Sequence, residues 1–109
     1  MIEFNKRFDI PKDFTGTCKV TSTEDVFYMK DGKRHNEAAP AIICKNGTKI
    51  WYLNDLQHRE DGPAVEYANG ECSWFYKGKY YGFNDEFTNE TCKEKVKELK
   101  YLESLNIFK

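Results

Sequence analysis

Hydrophobic and polar residues alternate in short segments along the middle of the chain, and this period of two is the pattern of β-strands. Aromatic and β-branched residues dominate the segments, and Gly, Asn or Asp lies between them. The segments are 26–29, 41–44, 49–53, 64–67 and 73–76. Short strands joined by turns predict an antiparallel meander. Both faces of 49–53 are apolar, which predicts that part of the sheet is covered on both sides.

Two sets of turn-forming dipeptides separate these segments. Asn46-Gly47 and Asn69-Gly70 predict tight two-residue hairpin turns, because both central residues of a type I′ turn need positive φ. Asp31-Gly32, Asn54-Asp55 and Lys77-Gly78 occupy the other turn position. The alternation of the two sets predicts a series of hairpins.

The pattern changes near Thr88, where apolar residues begin to recur every three or four positions. These residues are Cys92, Val96, Leu99 and Leu102. They predict a helix over about 88–105 with one narrow apolar stripe, capped by Thr88 or Asn89, and Thr91 with Glu94 could form a capping box one turn later. We expect the helix to cover an open face or edge of the sheet. Alternatively, its stripe docks a partner or forms a dimer.

The chain also repeats itself. Tyr28–Ile50 aligns with Trp51–Ser73 without a gap, which gives a period of 23 residues. A third unit opens at Trp74 and decays at Tyr81-Gly82. The positions shared by the first two units are His35 with His58, Glu37 with Glu60, Pro40-Ala41 with Pro63-Ala64, and Asn46-Gly47 with Asn69-Gly70. Repeat arrays of this kind have degenerate units at their ends.

These patterns together predict a mainly β protein of the α+β class, an antiparallel meander of repeated β-hairpins with one C-terminal amphipathic helix. A chain of 109 residues has the size of one domain. We expect a degenerate leading unit over 1–25, hairpin repeats of 23 residues over 26–83 and a helical segment over 84–109.

Charge, apolar content and cysteine spacing indicate which partners and which cellular compartment to expect. The formal net charge is −1, with both signs interspersed, so a nucleic-acid partner is not expected. No apolar run is long enough for a membrane span, and the charged N-terminus does not resemble a signal peptide. Cys18, Cys44, Cys72 and Cys92 are widely spaced and form no C-x-x-C pair. We therefore expect reduced thiols in a cytoplasmic protein, with a Cys44–Cys72 disulfide as the alternative.

The segment His58-Arg59-Glu60-Asp61 is the one cluster that could support acid–base chemistry. No nucleophile stands in a recognisable setting, and His58 recurs at the repeat spacing, as structural residues do. We expect Arg59 and Asp61 to bridge the loop. Alternatively, His58, Arg59 and Asp61 bind a ligand. No catalytic residue, metal site or cofactor is predicted.

Aromatic residues supply the second candidate surface. Tyr28, Trp51, Trp74 and Tyr76 fall in register and most simply form the core of the array. The third unit continues into a segment that combines charge with aromatic rings, and such residues anchor many protein interfaces. The predicted partner-binding residues are Trp74, Tyr76, Lys79, Tyr80 and Tyr81. We expect Tyr80 to be exposed and Phe83 to be buried.

The segments 47–54 and 70–78 resemble the MORN-like repeat variant, whose units run Gly-x-x-x-Trp-Tyr-x-Asn-Gly. The linker 58–64 is similar to the His-Arg-x-Asp-Gly-Pro-Ala signature of repeat proteins from bacteriophages, giant viruses and some bacteria. The resemblance covers about 26–83 and implies hairpin arrays that bind or scaffold, without catalysis. In the first copy, 36–39 departs from the signature found at 59–62.

These features predict a non-catalytic binding module, and the resemblance implies a phage accessory protein in the host cytoplasm. It would bind a host or defence-system protein and inhibit or redirect it, for example as an anti-defence factor. One alternative is a small-ligand binder that sequesters a nucleotide signal. It would use Arg59 and the aromatic residues that fall in register, which are Tyr28, Trp51, Trp74 and Tyr76. Another is a self-assembling structural module, and a homodimer is compatible with the sequence.

Overall fold

The computed structural model describes residues 1–106, in which the chain forms two β-sheets and one C-terminal helix. The strands are β1 (Ile2–Phe4), β2 (Gly16–Val20), β3 (Asp25–Lys30), β4 (Lys33–Arg34), β5 (Ile42–Ile43), β6 (Lys49–Ile50), β7 (Tyr52–Leu53), β8 (Leu56–Gln57), β9 (Val65–Glu66), β10 (Cys72–Tyr76) and β11 (Lys79–Phe83). The helix is α1 (Asn89–Ser104), and 3₁₀ turns lie at Arg7–Asp9 and Asn84–Glu86. The molecule is mainly β with one helix, as the sequence predicts. The end of the predicted helical segment, 107–109, lies outside the described residues.

Nine strands form the larger sheet in the order β1-β2-β3-β5-β6-β9-β10-β11, with β4 paired to β3. Strands β7 and β8 form a separate two-stranded sheet. The large sheet is mixed, because β1 runs parallel to β2 while its other pairs are antiparallel. A parallel pair requires a crossover connection, and residues 5–15 provide it. The expectation of a purely antiparallel sheet is therefore wrong at this edge.

The core of the large sheet follows one cross-strand row. Cys18, Phe27, Ile42, Ile50 and Val65 are successive partners across five strands, so they share one face. All of them are buried except Ile50, which is half-buried. Side chains from outside the row complete this core: Val20, Ala41, Tyr52, Phe4, Ile10 and Phe14.

The helix α1 begins at the residue that the sequence favours. The Thr88 hydroxyl accepts a hydrogen bond from the Thr91 amide at 3.1 Å, and the Thr91 hydroxyl accepts one from the Thr88 amide at 2.7 Å. The expected box between Thr91 and Glu94 is wrong, because the Thr91 side chain already closes this earlier one. Val96 and Leu99 are buried against Tyr76, so the stripe covers the sheet. None of the helices within residues 1–106 has the length and apolarity needed to cross a bilayer.

Turns form at both predicted sets of dipeptides, but the first set lacks the tight two-residue geometry expected of it and the second set has it. Gly47 has φ of 97° and Gly70 has φ of 91°, as expected. Asn46 and Asn69 have no positive φ, however, so these loops are not type I′ turns. The Asn46 side-chain oxygen instead accepts the Thr48 amide at 2.9 Å, which stabilises a longer loop.

The second turn set has the geometry expected of the first. Both residues have positive φ in Asp31-Gly32, Asn54-Asp55 and Lys77-Gly78. Each dipeptide joins two paired strands with no further loop residue. These three are the two-residue hairpin turns of the chain's described part.

All four cysteines are free thiols. Cys18 and Cys92 are buried, while Cys44 and Cys72 are half-buried. Burial raises the pKa of each thiol above its ordinary value. The Cys44–Cys72 disulfide is not formed.

Candidate functional site

The two histidines make the same connection at two places in the sheet. The His35 Nδ1 accepts a hydrogen bond from the Asn54 amide at 3.0 Å. The His58 Nδ1 accepts one from the Lys77 amide at 2.8 Å. Both bonds join a histidine to the hairpin turn of the next segment, so each ring ties one 23-residue stretch to its successor.

The second ring nitrogen of His58 is also engaged. Its Nε2 lies 3.0 Å from the Glu60 carboxylate, and the ring packs against Tyr76 with 4.9 Å between centroids. The side chain is buried, and this burial lowers the pKa of His58 below its ordinary value, although Glu60 opposes the shift. Because Nδ1 accepts the Lys77 amide and burial disfavours the charged form, the ring is neutral and carries its proton on Nε2, towards Glu60.

The Arg59 side chain holds its own loop together. Its Nε donates to Asp61 at 3.0 Å, and its Nη1 donates to Glu66 at 3.0 Å and to the Pro63 carbonyl at 3.2 Å. The guanidinium lies 4.0 Å from the centroid of the Trp51 ring. Four protein groups thus share this cation, in keeping with the loop-bridging role that the sequence favours.

A groove of about 440 Å³ lies beside this loop. Its walls are the loops at 36–40 and 58–61, and Trp51 and Leu53 lie between them. His58, Arg59 and Asp61 all line it, so the structure brings the predicted ligand-binding residues together. Each of the three nonetheless has polar atoms bonded to the protein itself. Within residues 1–106, no group of three or more His, Cys, Asp or Glu side chains is placed to hold a metal ion.

Two of the predicted partner-binding residues are not on the surface. Trp74 is 2% exposed and Tyr76 is 1% exposed. Alternate residues of a strand share a face, and α1 packs on the face that includes Tyr76. The Trp74 ring donates to the Asn84 carbonyl at 2.9 Å and packs on Phe87. The assignment of Trp74 and Tyr76 to a binding surface is therefore wrong.

The other three predicted residues differ among themselves. Tyr80 is 54% exposed, and Lys79 is exposed beside it. Tyr81 is half-buried and packs edge-on against Phe87, and burial raises the pKa of its phenol well above the ordinary value. Phe83 is half-buried, so the expected contrast with Tyr80 is present but less complete than predicted.

Sequence reasoning missed two apolar side chains at the hairpin that carries Tyr80. The rings of Phe75 and Tyr80 lie 5.6 Å apart, and Phe75 is half-buried on the face opposite Trp74 and Tyr76. Leu56 is 49% exposed and lies against the Gly78 turn. We call Leu56, Phe75 and Tyr80 the late-sheet patch.

A sequence signal for Leu56 was available. Lys33 and Lys79 occupy the corresponding positions one unit before and one unit after it, so the middle unit alone places an apolar side chain there. Searches of family models, curated proteins and solved structures found no match to this chain.

Proposed function

We propose that this chain is a non-catalytic protein-binding module that contacts its partner through the late-sheet patch. The observation that carries the proposal is the exposed pair Tyr80 and Leu56, at 54% and 49%. The Tyr80 ring lies on the last strand of the sheet and packs edge-on against Phe75, while the rest of its surface is open to solvent. A rigid aromatic side chain of this kind is a frequent anchor in protein interfaces.

The bonding of the His58 loop argues against catalysis. His58 is buried with both nitrogens bonded, and the Arg59 guanidinium is shared among protein groups. The same bonds argue against the small-ligand alternative, because a ligand would have to displace them. We assign this loop a structural role between neighbouring units.

We further propose that the sheet is an array of 23-residue hairpin units of MORN-like type. Its support is the recurrence of the histidine bonds and of the two-residue turns at that spacing. On the resemblance, we place the protein among phage accessory proteins that act on a host or defence-system protein in the host cytoplasm. The late-sheet patch then gives the array its contact surface.

Site-specific photo-cross-linking in living bacterial cells tests the binding surface. We expect p-benzoylphenylalanine in place of Tyr80 to capture a discrete protein, which mass spectrometry would identify. Tyr101, which is 64% exposed on α1, is the matched control position and should give no such product. A product at position 101 but not at position 80 would contradict the proposed surface.

The affinity for the captured protein then measures the contribution of the ring. Tyr80→Ala should weaken binding by about 1–2 kcal/mol, because it removes an exposed anchor without disturbing the core. Tyr101→Ala should leave the affinity unchanged. Isothermal titration with the purified partner measures both values, and equal affinities for wild type and Tyr80→Ala would refute the proposal.

A further inference from the structure

The most exposed large apolar side chain of the described residues lies at the other end of the sheet from the late-sheet patch. Phe8 is 81% exposed, on the 3₁₀ turn Arg7–Asp9. Hydrogen bonds on both sides fix this turn: the Asp9 amide donates to the Lys6 carbonyl at 3.0 Å, and the Ile10 amide donates to the Arg7 carbonyl at 3.1 Å. The phenyl ring is thus presented to solvent from a defined backbone.

Phe8 forms one wall of a groove of about 390 Å³. The side chains that line it are Arg7, Phe8, Ile10, Pro11, Lys12 and Met29. Gly32 closes its end, where the turn backbone passes so near the Lys12 carbonyl that a Cβ would lie 1.7 Å from the oxygen. The close approach requires glycine, so the shape of the groove is built into the fold.

The charge of the groove has one sign. Arg7 and Lys12 line it, and no described carboxylate does. Neither cation forms an ion pair with any residue that the structure describes.

The neighbouring hairpin carries two more cations, on either side of the exposed Asp31. Lys30 and Lys33 flank the Asp31-Gly32 turn and are exposed. They likewise form no ion pair within residues 1–106. The groove is thus lined by two cations and no carboxylate, although Asp9, Asp13 and Asp31 are exposed in the segments around it.

We propose that this groove binds an acidic segment of a protein partner. An apolar side chain of the segment would pack on Phe8, Ile10 and Pro11, while its carboxylates would face Arg7 and Lys12. The apolar walls select a segment that also carries a leucine or an aromatic residue, so charge alone is not sufficient. This site is separate from the late-sheet patch and does not depend on it.

Selection from a library of random twelve-residue peptides against the immobilised full chain tests the proposal. We expect the enriched peptides to combine Asp or Glu with Leu, Phe or Trp. The strongest peptide, labelled with fluorescein, then gives dissociation constants by anisotropy. Phe8→Ala should weaken its binding about tenfold, and Lys12→Glu should weaken it about fivefold, with a further loss at high salt.

Lys97→Glu is the matched control, because it makes the same change of charge on α1, where Lys97 is 74% exposed. It should not alter the dissociation constant. Phe8→Ala should also keep the wild-type melting temperature, since the ring is solvent-exposed. Absence of enrichment, or enriched peptides without acidic residues, would overturn the proposal.

Two further outcomes distinguish the groove from the late-sheet patch and from a surface that attracts any anion. A peptide that depends on Tyr80 and not on Phe8 would leave the late-sheet patch standing and remove the groove. Equally tight binding of a DNA duplex, or of a peptide in which alanine replaces every apolar residue, would show that the surface recognises charge alone. Either result would overturn the acidic-segment proposal.

Discussion

His58 has its side chain almost fully removed from water, and its two ring nitrogens bond to different parts of the fold. Burial lowers the pKa of the folded state, whereas the unfolded chain keeps an ordinary value of about 6.5. The unfolded state therefore takes up the proton first as the pH falls. The contribution of His58 to stability is complete above about pH 6.5 and declines below it.

We predict that this titration is visible in the melting temperature. Wild type should melt at a lower temperature at pH 5.5 than at pH 7.5, because protonation favours the unfolded chain. His58→Asn should have a smaller decrease, since an asparagine oxygen can accept the Lys77 amide bond but does not titrate. Calorimetry at both pH values measures this, and parallel decreases in the two proteins would contradict the assignment.

Burial also determines which single residues the sequence could identify. Tyr80 stands out because the preceding unit has Gln57 at that position, so a polar position has become aromatic. Trp74 and Tyr76 are equally aromatic, and only the position of α1 decides that they are covered. Phe8 carries no repeat signal at all, so its exposure depends on the path of the chain between β1 and β2.

At the scale of elements, the loop at Asn46-Gly47 is a place where the cost of backbone strain can be measured without a steric clash. Gly47 has φ of 97°, and a Cβ added there would meet no other atom within 4 Å. Any cost of substitution therefore comes from backbone strain and not from a clash. The loop at Gly70 has the same two properties.

We predict that Gly47→Val destabilises the protein by about 1–3 kcal/mol, because a β-branched residue is strained at positive φ. Gly47→Asn should cost clearly less, since Asn tolerates this region. Urea unfolding followed by tryptophan fluorescence gives both free energies. Equal stability of wild type and Gly47→Val would mean that the loop does not keep this conformation in solution.

The pattern of apolar and polar residues predicted those strands and the helix whose formation depends on residues close in the sequence. The segments 26–29 and 73–76 and the helix near 88–105 all appear close to their expected bounds. The segment 49–53 divides at Trp51 into β6 and β7, because the Trp51 amide donates to the Ala64 carbonyl and the chain changes sheets. Strand β1 has no local signal, since its parallel partner lies across a crossover.

The candidate sites depend even more on long-range packing. The sequence named Tyr80 but not Leu56, because Leu56 meets the Gly78 turn only through the packing of two successive hairpins. It placed His58, Arg59 and Asp61 together correctly, as they are neighbours in the chain. Whether Arg59 is free or bonded depends on Glu66 and Trp51, which lie outside the motif.

At the scale of the whole molecule, the residues 1–106 that the structure describes form two separate apolar cores. One includes Phe27 and Ile42, and the other lies between Tyr76 and α1. Two bridges fasten the helix at the second core: Lys100 to Glu60 at 2.7 Å and Lys77 to Glu103 at 2.8 Å. Both are largely solvent-exposed, so apolar burial contributes most of the attachment.

We predict that Leu99→Ala destabilises the protein by about 2–5 kcal/mol, because Leu99 is 4% exposed in the core beneath α1. Leu105→Ala is the control, since Leu105 is 50% exposed just beyond the helix. It should change the free energy of unfolding by less than about 0.5 kcal/mol. Urea denaturation measures both, and a small effect of Leu99→Ala would mean that the helix is not docked in solution.

The histidine bonds also determine the order in which a growing chain can fold. Each joins residues only 19 positions apart, so it can close soon after the second residue leaves the ribosome. The bond between His35 and Asn54 is available first, and that between His58 and Lys77 follows. The contact between Glu60 and Lys100 comes last. During synthesis the sheet can therefore assemble from its N-terminal side, one hairpin at a time, before the helix exists to cover it.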